Sequence, residues 1–495
     1  MLLNPFARIG LSFTVTLFVL NFCPDFTIAA FVTAAVCFLL CLFWKRLPGR
    51  QGSAIAFFSA MTAALLFFGT QGLYWTPACL LDGQTMTICG EATGEESPCG
   101  EYGTLTVLRT DSGERVRLCT KEKMNLNPGD RVRFVGKLHA DNAWSNRAER
   151  AFLYCWAPKN ISVQKTQTVR LRDVPQYMRR TLFDRIVSLV GKENGAVAAA
   201  MVTGDKSLVS DDIRNAFSVS GISHTIAVSG LHMNLVVLAL YRFLSFLFRT
   251  RRRFCALLCI AAAWLYAAVA DFTPSAVRAC VTTSVFLGGI ALYRKANPYN
   301  SLGLAAFLIL LCNPYAVCDL SFELSFSAAF GLIWLGEKMR AFQPFARVKP
   351  KALKKALTAV YDAVSVTLCA TVSCMPVYVW QNFDVTCACF FTNAATFFAV
   401  PPVLVTGLIS ALPGTVGRIS ARLCWLCTKY ILFVVECVEK VEWLSLFSVQ
   451  AALIASAIAF VGTLIYFYRK KVPKENRFLL KILCLLRQVN RNKPK

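Results

Sequence analysis

Gly221-Ile222-Ser223-His224-Thr225-Ile226-Ala227-Val228-Ser229-Gly230-Leu231-His232-Met233-Asn234 opens an apolar run that continues to Leu247. A helical crossing of a bilayer core takes about 20 predominantly apolar residues, so 222–247 is long enough. Its first half is wrong for an uninterrupted span. Two of the three histidines of the chain sit there, and Ser220-Gly221 and Ser229-Gly230 weaken a helix at two points. Ionisable groups cost about 2.5–3.5 kcal/mol at mid-bilayer on insertion scales, so they persist where they meet a partner or a wet cavity. The stretch therefore predicts a membrane helix broken beside a polar space.

The flanking sequence repeats the membrane signal. Further apolar runs follow at 254–270, 274–293, 298–312, 319–335, 358–379, 387–411, 421–440 and 448–468, and three precede at Ile9–Phe22, Phe26–Trp44 and Ser53–Trp75. The whole chain of 495 residues is 56% hydrophobic and 16% charged, with mean hydropathy +0.51. A soluble protein carries about 25% charged residues, so a cytosolic enzyme, a disordered chain and a small disulfide scaffold are excluded. The expected fold is a mainly α polytopic membrane protein with about 12 transmembrane helices, some of them discontinuous.

Charge sets the expected orientation. Lys+Arg 53 minus Asp+Glu 28 leaves +25. The basic clusters fall at Lys45–Arg50, Arg249–Arg253, Arg294-Lys295, 338–355 and 469–495. All lie on one side if every run crosses, so the excess follows the positive-inside rule and places both termini in the cytoplasm of a multi-pass cell-membrane protein. In the tail, Phe478–Leu486 is amphipathic and suits the inner leaflet.

Residues 76 to about 220 interrupt the spans. Between 78 and 165 there are 12 Lys/Arg and 11 Asp/Glu, a near-neutral soluble composition. Segments 84–92, 102–110, 114–120 and 130–138 alternate or are rich in Thr, Val and Leu, with turns at Asp111-Ser112-Gly113 and Asn127-Pro128-Gly129-Asp130. These predict a small extracytoplasmic β-barrel, OB-like in size. Such barrels bind single strands by stacking bases on aromatics in a basic groove. Candidate contacts are Arg131 and Arg133 on one strand face, with Trp144; Tyr102, Phe134, Tyr154 and Trp156 serve equally as core. Cys79, Cys89, Cys99, Cys119 and Cys155 belong to this insert, and an external location permits one or two bridges of undetermined pairing.

Polar residues inside spans also raise the question of chemistry. Ser229 and His232 stand at i and i+3, so a Ser–His nucleophile pair with Asp205 is one reading. However, Ala227-Val228-Ser229-Gly230 is not the nucleophile-elbow pattern. His224 and His232 would lie about 12 Å apart on an unbroken helix, too far for one metal. Cys424 and Cys427 lack a second pair, so no metal or other cofactor is expected. Gly204-Asp205-Lys206-Ser207 lacks the glycine frame of a phosphate-binding loop, so no ATP hydrolysis is expected either.

Thr203–Ser207, Gly221–His232, Pro274-Ser275-Ala276-Val277-Arg278-Ala279 and Asn313-Pro314-Tyr315 with Ser321–Phe326 occur in the order found in the ComEC-type competence proteins. The chain resembles this family of inner-membrane channels for single-stranded DNA in natural transformation. The resemblance implies N-terminal transmembrane helices over 1–75, an extracytoplasmic OB-like domain over 76–170, and a linker with amphipathic helices over 171–220. A competence (channel) domain over 221–470 and a basic cytoplasmic tail over 471–495 complete the expected organisation.

It also implies a channel path containing Gly204, Asp205, His224, Ser229, Gly230, His232, Asn234, Arg278 and Glu323, with no catalytic residue. The implied partners are single-stranded DNA, the lipid bilayer, a cytoplasmic DNA helicase or ATPase motor, strand-binding proteins and an extracytoplasmic DNA receptor; a homo-oligomer is compatible. Two departures stand out. Asn142–Arg150 replaces a Gly-rich, Tyr-containing segment. The chain also stops some 25 residues after the last expected span, without the metallo-β-lactamase-like domain that many members carry. A membrane-embedded hydrolase or transferase, and a degenerate paralogue moving another polymer, are the competing readings.

Overall fold

The computed structural model describes residues 5–22, 50–98, 252–342, 351–381, 386, 388–441 and 462, and 103–248 apart from 112, 122, 123, 125, 143, 157, 167–169, 171 and 172. The expected spans Phe26–Trp44 and 448–468 and the amphipathic stretch Phe478–Leu486 lie outside the described residues, as do Cys99 and Tyr102.

The helices form where apolar runs are long and uninterrupted. α1 (Pro5–Phe22) is followed by α2 (Arg50–Thr70), which continues through a π turn (Gln71–Trp75) into α3 (Thr76–Leu80). After the barrel strands begin come α4 (Trp144–Glu149), α5 (Val174–Val190), α6 (Lys192–Thr203) and α7 (Asp211–Val219). Then follow α8 (Gly230–Leu247), α9 (Arg252–Val269), α10 (Pro274–Ala291), α11 (Pro298–Cys312), α12 (Leu320–Trp334), α13 (Gly336–Ala341) and α14 (Lys351–Trp380). The last are α15 (Ala388–Thr396), α16 (Val400–Ser410) and α17 (Thr415–Glu439).

Among the described residues five helical stretches are long and apolar enough to cross a membrane: Ile55–Leu80, Gly230–Leu247, Arg252–Val269, Pro274–Ala291 and Leu353–Trp380. A sixth arises if α15 and α16, bent by 51° at their break, act as one broken span. Two expected crossings are shorter apolar helices, Pro5–Asn21 and Pro298–Cys312. The expected span 421–440 falls within α17, whose Arg418, Arg422 and Lys429 surround one buried stripe of Gly417, Ala421, Cys424, Thr428, Ile431 and Val435. That three-to-four spacing makes α17 amphipathic rather than uniformly apolar.

The insert is a closed five-stranded barrel. Its strands are β1 (Thr85–Pro98), β2 (Thr104–Thr110), β3 (Arg115–Thr120), β4 (Arg131–Ala140) and β5 (Leu153–Trp156). β1, β2 and β3 pair antiparallel in sequence; β3 then runs parallel to β5, and β5 pairs with β4, which closes back on β1. β6 (Lys159–Gln164) adds to β4 beyond β5. Alternation along β4 sends Val132, Phe134 and Leu138 inward and Arg131, Arg133, Lys137 and His139 outward.

Gly136 leaves the space that the Cys155 thiol fills, since a Cβ there would overlap that sulfur. Asp130 is fully buried because both carboxylate oxygens are used. One accepts the Asn127 N–H at 2.8 Å and the other the Thr166 N–H at 3.0 Å, fastening the turn before β4. Among the described residues Cys79, Cys89 and Cys155 are not bridged to one another, and Cys119 and Cys155 are buried as small apolar groups.

Barrel and helices share one hydrophobic core, running from Phe13 and Leu17 through Phe67 and Tyr315 to Phe152, Phe134 and Leu118. At the seam Phe152 meets Trp75 and Tyr315 edge to face, with centroids 5.5 and 5.7 Å apart. Arg147 donates to the Asn21 carbonyl at the end of α1, and Arg150 donates to the Cys312 carbonyl at the end of α11. Cations suit these ends because unpaired carbonyls concentrate negative partial charge there. Asn313 completes the join, accepting from Arg150 at 3.0 Å and donating to the Ala148 carbonyl at 2.8 Å. Away from the seam, α1 and α11 approach so closely that a Cβ at Gly10 or Gly303 would overlap the opposing backbone.

Candidate functional site

The polar stretch is a helix interruption, as its glycines require. α6 stops on Gly204, at φ +80, where the Gly204 N–H caps the Ala200 carbonyl at 2.8 Å. Asp205 closes a local turn by accepting the Ser207 N–H at 2.9 Å. α7 stops at Ser220, and Gly221 takes φ +72. A side chain at Gly221 would also overlap Cys389 and Thr386, so this glycine is where the interruption before α8 packs against the start of α15. Ser223–Ile226 make a single 3-10 turn, and the backbone is extended at Ala227 and Ser229.

α8 begins only at Gly230. The Ser229 hydroxyl accepts the His232 N–H at 3.3 Å, an N-cap. The Gly230 N–H donates to Ser275 Oγ at 3.2 Å, and Ser325 Oγ donates to the same oxygen at 3.2 Å. Arg278 donates from Nη1 to the Ser325 carbonyl. Its guanidinium lies against Gly230, where any Cβ would overlap it. Arg278 therefore ties α8, α10 and α12 together rather than snorkelling out of its span.

The two histidines have different surroundings. His232 is 2% exposed; its ring donates to the Met201 backbone of α6, and Nδ1 has no hydrogen-bond partner. His224, on the 3-10 turn before α8, is exposed. The break also invalidates the separation expected for an unbroken helix. Even so, among the described residues no group of three His, Cys, Asp or Glu converges as a metal site.

Further out, Asn234 accepts from the Thr283 hydroxyl at 2.6 Å, and Glu323 accepts from the Gln381 amide at 3.2 Å. Tyr266 OH reaches the Val202 carbonyl at 2.8 Å, joining α9 to the end of α6. Gly204 packs beside Val228. Thus Gly204, Ser229, Gly230, His232 and Arg278 fall on elements that touch one another. Sequence reasoning misses Ser275, Ser325, Tyr266 and Thr386 as site residues. Ser275 lies inside the Pro274–Ala279 motif and Ser325 inside Ser321–Phe326, but their shared hydrogen bond emerges only when α8, α10 and α12 are assembled.

On the barrel, Arg131 and Arg133 are exposed on one face as expected, and Arg131 pairs with Asp111 at 3.4 Å. Trp144 heads α4, which packs on the Pro314–Cys318 turn beside the seam; its side chain lies outside the described residues. Trp156 is exposed and stacked on Tyr154 at 5.9 Å and 7°. Arg117 lies over the Tyr154 ring and binds Glu149 at 2.5 Å. Its guanidinium is held above its ordinary pKa: burial opposes the charge, but Glu149 and Tyr154 together outweigh it.

A family model described as Competence protein matches residues 201–472. ComE operon protein 3 of Bacillus subtilis (strain 168) is 25% identical over 335 residues, covering 62% of this chain and 41% of that protein. The chain thus spans less than half the length of this curated relative. No solved structure matches.

Proposed function

Because the chain belongs to the competence protein family, we propose that it acts in DNA uptake as a membrane channel for single-stranded DNA. The observation that carries this reading is the helix interruption before α8, where Gly221 packs against the start of α15 and His224 is exposed, inside the family-matched region. A strand bears a charge at every phosphate and cannot cross bare hydrocarbon, so it needs a polar route where broken helices line a cavity. The path residues are Gly204, Asp205, His224, Ser229, Gly230, His232, Asn234, Arg278 and Glu323. Supply of energy falls to a cytoplasmic motor, since the sequence shows no phosphate-binding loop.

The strand order β1-β2-β3-β5-β4 with closure onto β1 supports an OB-like reading of the barrel. Its strand-binding face is the outer side of β4 and β5. Arg131, Arg133 and Lys137 point outward on β4, where alternate residues repeat about every 6.8 Å. Trp156 on Tyr154 supplies a stacking platform beside them. In this reading the barrel is extracytoplasmic and both termini are cytoplasmic.

Uptake of labelled DNA tests the proposal. Deleting the gene should abolish nuclease-protected label in the cytoplasm while leaving surface-bound label intact, and His224→Ala and Arg278→Ala should lower uptake at normal membrane levels. Wild-type uptake in the deletion strain would overturn the channel reading.

A further inference from the structure

Arg278 stands out in the bundle because its electrostatics are incomplete. It is half-buried on α10, a helix apolar enough to span, and among the described residues no carboxylate is within ion-pair distance of it. Its guanidinium lies against Gly230, the first residue of α8. At that helix start the Gly230 N–H is taken by Ser275 Oγ, the His232 N–H by Ser229 Oγ and the Met233 N–H by the Ser229 carbonyl, so the uncompensated charge is that of Arg278. Such an arrangement is unfavourable alone and favourable around an anion.

The donors suit that role. Of the five guanidinium N–H groups, the Nη1 bond to the Ser325 carbonyl fixes the plane of the fork. Among the described residues Nε and Nη2 have no acceptor, and neither is a buried unsatisfied atom, so they open onto accessible space. A fixed fork with free donors matches the paired oxygens of a phosphate.

We propose that Arg278 binds one phosphodiester of the passing strand. The site rests on the channel reading and gives it a defined contact. It would hold the backbone without regard to base, since phosphate contacts position a strand but do not read its sequence. A lipid headgroup phosphate offers the same chemistry, and the test separates the two.

The protein in nanodiscs of zwitterionic lipid is titrated with a fluorescent oligothymidylate over a range of salt concentrations. Each phosphate contact on a single strand adds about 0.7 to the slope of log affinity against log salt. Arg278→Gln should flatten that slope by about 0.7, and Arg278→Lys should retain it while binding several-fold more weakly. Gly230→Ala displaces the guanidinium without removing it and should lose the same 0.7, which keeps the test valid if Arg278→Gln does not fold. Wild-type slope in Gly230→Ala, or in folded Arg278→Gln, overturns the phosphate site. Disappearance of the wild-type advantage when anionic lipid is added assigns the occupant to the membrane and overturns it too. No strand binding by the wild-type protein would instead defeat the channel reading itself.

Discussion

Arg150→Ala tests whether the barrel is fastened to the helices or merely rests on them. Arg150 donates to the Cys312 carbonyl and to Asn313 Oδ1, and lies over the Tyr74 ring at 5.1 Å. Removing it does not cost the sum of these contacts. Asn313 Oδ1 still accepts the Tyr315 N–H at 3.2 Å, and the Phe152 contacts remain. One charged hydrogen bond plus a cation–π contact gives about 2–3 kcal/mol. That weakens docking about 30- to 140-fold, at about 1.4 kcal/mol per factor of ten. Arg150 has φ +54, and alanine tolerates that conformation no better, so the comparison isolates the side chain.

Hydrogen exchange on the purified protein reads the change locally. The Asp141 amide, bonded to the Phe152 carbonyl at 2.8 Å, should lose protection by up to that factor. Amides at Val132 and Phe134, inside the barrel sheet, should keep theirs. Equal protection at Asp141 in both proteins would refute the fastening; equal loss everywhere would mean that the substitution unfolds the barrel.

Two further outcomes follow from packing. Gly303→Leu must push α1 away from α11, because a Cβ at this position already overlaps the Phe6 carbonyl and Ala7. It should destabilise the detergent-solubilised protein by about 1–3 kcal/mol, read as a lowered melting temperature, whereas a substitution at exposed Leu257 should not. Burial pushes the Cys155 thiol up to about 11, so at pH 8 only about one part in a thousand is thiolate. Exposed Cys89 should react with maleimide at pH 8, and Cys155 should not until the barrel is unfolded. Rapid labelling of Cys155 in the folded protein would contradict the observed interior.

The sequence is most legible where one residue's neighbours along the chain decide its fate. Alternation at 130–138 announces β4 to within two residues, and Ser220-Gly221 with Ser229-Gly230 announces the break before α8. What stays hidden depends on distant pairings. Asn142–Arg150 reads in sequence as a missing binding segment, and only its partners on α1 and α11 show it to be a fastening. Ser229 has the spacing of a nucleophile, but its hydroxyl caps its own helix. Residues 421–440 read as a uniformly apolar run because hydropathy averages over the faces of a helix, whereas α17 buries one stripe and leaves Leu423, Leu426 and Phe433 exposed.

The shared core also imposes an order of events during synthesis. Arg150 leaves the ribosome 163 residues before Asn313, its partner. The barrel strands can pair, Arg147 can reach Asn21 and Phe152 can meet Trp75 as soon as they emerge, but Arg150 must wait for α11 and Phe152 for Tyr315 in the turn that follows it. Until then the nascent chain shows Phe152 with its Tyr315 side uncovered. A translational pause, or a chaperone acting during that interval, would have its effect on the barrel floor rather than on the sheet.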